Sequence, residues 1–157
     1  AGDRPVRVAV EWEYRDFGAA AAIHEVAGRP RLWQTRSVER MEDVPAGPRI
    51  EGSAFLLAPG RWKRFVVVIR NETAETLYFY AEPHTVDPPG QATNFGIRCL
   101  CIDHAFNIWP GQVWYRVVEI RLPEDFEGEK LTVRHALVGI DAARAETFMR
   151  APTEPAP

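Results

Sequence analysis

The only two cysteines of this chain are Cys99 and Cys101, separated by Leu100. Two cysteines placed at random in 157 residues fall two apart about once in eighty arrangements, so the spacing carries information. Ile97, Leu100 and Ile102 around them suit a β-strand. On a strand, residues i and i+2 share a face, with Cα atoms about 6.6 Å apart from two rises of ~3.3 Å. Two soft thiolates on one face form a ligand pair for a soft, low-coordinate ion, above all Cu(I). Such a pair leaves one side of the ion open to ligands of a partner, as transfer by ligand exchange requires. A disulfide between them would sit at the upper edge of the usual Cα separation of ~4.4–6.8 Å, with parallel rather than convergent side chains. It suits a redox state better than a structural brace, and two buried apolar thiols are the third reading.

Other metal-ligating side chains are few. His104 lies three residues past Cys101, and a turn at Asp103 would bring it back toward the thiols as a further ligand. His84 stands in the proline-rich loop before the cysteines. His135 is in phase with Leu131, Val133 and Leu137, which predicts a half-buried packing or hydrogen-bonding role. A closed zinc site needs four ligands, normally two separated pairs, and the second pair is missing; zinc shared with His104 and one more ligand is the alternative. A blue-copper centre needs two His, one Cys and a weak axial ligand, a set this pattern does not match. There is no Gly-rich phosphate loop, no Gly-x-Ser-x-Gly and no His-Glu-x-x-His, so the reading is non-enzymatic.

The elements that must position these groups read as strands. Val6, Val8 and Val10 alternate with polar residues in Pro5 to Tyr14. Ala19 to Ala22 and the segment up to Pro30 read as a loop or short helical turn. Arg31 to Val38 and Arg49 to Leu57 are strand candidates separated by a turn at Pro45-Ala46-Gly47-Pro48. After the Pro59-Gly60 turn, Phe65-Val66-Val67-Val68-Ile69 is the clearest buried strand, and Asn71-Glu72-Thr73 turns the chain into Thr76 to Ala81. A long loop from Glu82 to Phe95 precedes the cysteine strand; Pro110-Gly111 then leads into strands at Gln112 to Leu122 and Leu131 to Ile140. Asp141 to Arg150 is a short helix capped by Asp141, and the proline-bearing tail from Ala151 is expected to be disordered. Short strands at this spacing with little helix predict an all-β, immunoglobulin-like antiparallel β-sandwich, one domain over residues 1–150.

Composition narrows the partners. A net charge of −3 argues against a broad phosphate-binding surface and so against nucleic acid. No apolar run approaches the ~20 residues that span a bilayer, and Ala1-Gly2-Asp3-Arg4-Pro5 lacks the basic-then-apolar order of a secretory leader. Among Trp33, Trp62, Trp109, Trp114 and Tyr115, Trp109 is the aromatic expected on the surface, next to a turn and near the thiol strand.

From Gly60 onward the chain resembles the CtaG-type cytochrome c oxidase assembly factors. The resemblance rests on Pro59-Gly60, Val66-Val67-Val68-Ile69, Asn71, Tyr78-Phe79-Tyr80 and Pro88-Pro89-Gly90. It continues through Phe95, Ile97-Arg98-Cys99-Leu100-Cys101, Pro110-Gly111 and Pro123-Glu124-Asp125-Phe126. It covers the last two-thirds of the chain. Leu100 and Ile102 stand where the family usually has aromatics, and Arg116-Val117 where it has Met-Pro. The resemblance implies a membrane-anchored, immunoglobulin-like protein that supplies copper to the CuB centre of the oxidase's catalytic subunit, on the periplasmic side of the cytoplasmic membrane. It implies Cu(I) held by Cys99 and Cys101. The family's further cysteine, near its anchor, has no counterpart here; removal with an anchor and divergence both account for that. Two chains sharing copper through their paired thiols would form a metal-linked homodimer. The alternative function is a non-enzymatic immunoglobulin-like interaction domain whose Cys-x-Cys is redox-active or incidental.

Overall fold

Alternation along β1 (Val6–Arg15) buries Val6, Val8 and Val10 and leaves Arg7 exposed. The same two-residue period recurs in β12 (Lys130–Ile140), burying Leu131, Val133, His135 and Leu137. These two strands form the centre of one of two packed sheets in a computed structural model that describes residues 4–89, 96–98 and 105–150. Cys99, Cys101, His104 and the tail from Ala151 lie outside the described residues.

The first sheet runs β10 (Phe106–Ile108), β7 (Leu77–Ala81), β12, β1, β5 (Ala54–Leu57), with β8 (Thr85–Asp87) also on β12. The second runs β3 (Thr35–Val38), β11 (Val113–Arg121), β6 (Trp62–Arg70), β2 (Ala21–Val26), β4 (Ala46–Arg49), with β9 (Gly96–Arg98) also on β11. Every described pairing is antiparallel except β1 with β12, which are parallel from Arg7↔Lys130 to Arg15↔Val138. A parallel neighbour needs a long return connection, and between the first and last strands the rest of the sandwich is that connection. The all-β sandwich with one short terminal helix is therefore what the sequence predicts.

Side chains from both inner faces meet in one core, with Val8, Ile23, Phe65, Ile69, Phe79, Trp114, Ile120 and Leu137 among them. A second, smaller core lies on the outer face of the second sheet, where Val44 packs with Val66, Val68, Val113, Tyr115 and Val117. Coverage on both faces explains why Phe65 to Ile69 is an unbroken apolar run rather than an alternation. Met41, partly buried in the short turn Met41–Asp43, helps close that cover.

Several segments differ from expectation. Thr85–Asp87, inside the expected loop from Glu82 to Phe95, is a strand on β12, and Glu51–Ser53, inside the expected strand from Arg49 to Leu57, is a 3-10 turn. Ala21–Val26 is a strand rather than a loop, because β6 presents a free backbone edge that it pairs from Ala21↔Ile69 to Glu25↔Phe65. Ala46–Arg49 is likewise a strand, an edge paired to β2 with a register shift between His24 and Val26. Pro48 is tolerated there because an edge strand leaves one row of N–H groups unpaired. The helix α1 (Ala142–Arg150) begins as predicted: Asp141 Oδ1 accepts from the Arg144 N–H at 2.7 Å. Asp141→Ala should cost about 1 kcal/mol, read as faster amide exchange confined to the helix.

Candidate functional site

The β10 edge of the first sheet meets the β3 edge of the second, where the Ser37 hydroxyl donates to the Asn107 carbonyl at 3.4 Å. On this side, β7 and β8 follow one another along the free side of β12, while β3 and β9 follow one another along β11. β9 is pinned by Gly96↔Arg121, Ile97↔Ile120 and Arg98↔Glu119. Further along β11, Val117 exchanges backbone hydrogen bonds with Trp33 and Gln34, at 2.9 and 3.0 Å. Cys99 follows Arg98 directly in the chain, so the cysteine pair is joined to the sandwich at this edge.

Three rings line the inner face of the first sheet nearby. Trp12 and His135 are register partners on the parallel β1–β12 pair, stacked with ring centres 5.2 Å apart and planes 26° apart. His84, one residue before β8, places its ring centre 5.9 Å from that of His135. His135 is only 4% exposed. Its Nδ1 and Trp12 Nε1 are the buried side-chain polar atoms without a hydrogen-bond partner among the described residues. The expected packing role of His135 is therefore met by stacking, while Nδ1 makes no hydrogen bond among the described residues. Across the sandwich, Arg116 shares the inner face of β11 with Trp114 and Val118 and is buried, its Nη1 donating to Thr35 Oγ1 at 2.7 Å.

Sequence reading missed Trp12. It continues the Val6, Val8, Val10 phase, but its place beside His135 exists only through the parallel register. No group of three or more His, Cys, Asp or Glu side chains suited to a metal occurs among the described residues. Trp109 is 60% exposed, as expected, and Trp62 is 50% exposed with the Arg121 guanidinium 5.8 Å from its ring centre. Trp114 and Tyr115 are core residues. On β1, burial pushes the Tyr14 phenol above its usual pKa, although its oxygen accepts from the Ala21 N–H and Arg49 acts the other way.

The family model for DUF8709, a domain of unknown function, matches residues 6–140. The chain belongs to that family. The match opens on the first residue of β1 and closes on the last of β12, so the family unit is the sandwich itself, bounded by the two strands that pair in parallel. No curated protein and no solved structure matches the chain. No described helix is long and apolar enough to cross a membrane.

Proposed function

We propose that this sandwich is a Cu(I)-carrying domain. Cys99 and Cys101 are the ligands, and copper is passed on during cytochrome c oxidase assembly at the extracytoplasmic face of a membrane. The observation that carries the reading is the Cys-x-Cys itself, the chain's whole complement of thiols, placed directly after a strand of fixed register. A pair that directly follows a paired strand can present an under-coordinated ion to a partner's ligands, and the oxidase's catalytic subunit is the recipient implied by the resemblance. His104 is the third ligand in this proposal. Because thiolate rather than thiol binds the ion, protons compete and affinity falls as pH falls.

The test is an anaerobic Cu(I) titration of the reduced protein against a competing chelator. One thiolate-bound copper per chain, or per pair of chains, is expected, marked by thiolate-to-copper charge-transfer absorption. Cys99→Ser with Cys101→Ser should remove that absorption and the equivalent of copper that gives rise to it. Undiminished uptake with no spectral change would sink the thiolate site. The second reading, a non-enzymatic interaction domain, draws on the exposed Trp109 beside the Pro110-Gly111 turn. It predicts that Trp109→Ala abolishes partner capture while the serine variant retains it.

A further inference from the structure

We propose a second copper site, built from the two imidazoles of His84 and His135 on the inner face of the first sheet and independent of the cysteines. The starting point is an imbalance among the described residues. An indole N–H and an imidazole nitrogen are buried without partners, and both belong to the same row of rings. A buried polar atom left unpaired costs about 1–3 kcal/mol. A neutral imidazole nitrogen without a proton carries a lone pair, the form in which histidine binds metals.

Ring spacing supports a shared ion. With metal–nitrogen bonds of 2.0–2.1 Å, an imidazole centre lies about 3.2 Å from the ion; two such rings are about 5.2 Å apart at a tetrahedral angle and about 6.4 Å when collinear. The observed 5.9 Å falls between those limits. The described residues add no third ligand, which disfavours zinc in a closed four-coordinate site and favours an ion content with two donors. Cu(I) accepts two ligands, and imidazole suits copper. Trp12 lies against the His135 ring, where its π face favours the positive charge the imidazole takes on when it ligates. Trp12 is thus a positioning residue rather than a ligand.

The site comes together across three strands. His84 precedes β8, His135 is on β12 and Trp12 on β1, with β8 and β1 flanking β12 on opposite sides.

The experiment uses the full chain with Cys99→Ser and Cys101→Ser, titrated anaerobically with Cu(I) against a chelator, with imidazole nitrogen chemical shifts recorded by NMR. One equivalent should bind, shifting one nitrogen of each of two histidines. His84→Gln, at a half-buried position, should weaken uptake at least tenfold with the fold retained by circular dichroism. His135→Gln should do the same, and Trp12→Phe should retain binding. Absence of copper from the cysteine-free protein, as expected if a bridging water alone serves Trp12 and His135, overturns the proposal. So does uptake indifferent to His84→Gln. Failure of the thiolate site reads out separately, as no difference between the natural chain and its cysteine-free form.

Discussion

Asn71→Asp should lower stability by about 3 kcal/mol at neutral pH, within the range for breaking a buried hydrogen-bond network. Asn71 is fully buried at the turn between β6 and β7. Its Nδ2 donates to the carbonyls of Glu75 and Ile108, each at 2.8 Å, and its Oδ1 accepts from the Thr73 N–H at 2.9 Å and the Thr73 hydroxyl at 2.6 Å. Its backbone N–H donates to the Gln112 carbonyl at 3.0 Å and its carbonyl accepts from Gly111 at 2.9 Å. The side chain thus ties its own turn to β10, and the backbone of the same residue ties it to the Pro110-Gly111 turn. Aspartate has the same shape and keeps the bonds to Thr73, but an ionised carboxylate cannot donate and faces two carbonyl oxygens. The introduced carboxyl therefore has a raised pKa in the folded state. The folded state then binds more protons than the unfolded one, so stability falls as pH rises above the ordinary aspartate value of about 3.9. Protonation restores one donor, so the deficit against the natural chain should be smaller at pH 4 than at pH 7. Urea midpoints at the two pH values decide this; equal deficits would show that lost shape, not lost donation, is responsible. Asn71→Ala, which removes both functions, should show no such pH dependence of its deficit.

Gly139→Ala should cost about 3 kcal/mol, at the upper end for overpacking, because the obstructing atoms are backbone. Asp16 and Phe17 cross over β12 at Gly139 as the chain leaves β1. A Cβ there would overlap the Asp16 carbonyl oxygen, come within 2.7 Å of its carbon and reach 3.1 Å of the Phe17 Cα. Asp16 already has φ of 52°, so its freedom to yield is small. For a domain of this size, a lowering of the melting temperature by roughly 6–12 °C is expected. Gly47→Ala is the control: its nearest neighbour is Glu25 Cβ at 3.6 Å, ordinary contact, and the melting temperature should move little. Equal effects at the two glycines would show that conformational freedom rather than crowding matters at Gly139.

The strands legible in the sequence are those whose burial is written locally. β1 and β12 alternate, and the apolar run of β6 reports a sheet covered on both faces. The Asp141 cap and the Pro110-Gly111 turn are equally local, since their chemistry involves residues within a few positions. β2 and β4 were not legible, because Ala21, Ala22, Gly47 and Pro48 have little intrinsic preference for a strand. They become strands because pairing satisfies backbone groups exposed on β6 and then on β2.

By itself, the sequence determined the ligand chemistry that Cys99 and Cys101 can offer, the all-β class and the phase of each long strand. Those properties depend on residue type and on a period of two. The parallel neighbourhood of the first and last strands, the row from Trp12 through His135 to His84, and the inward burial of Arg116 were decided by tertiary structure. Register between Trp12 and His135 spans most of the chain, and no local pattern encodes it; it is set when both strands bury their apolar faces and pair their backbones together.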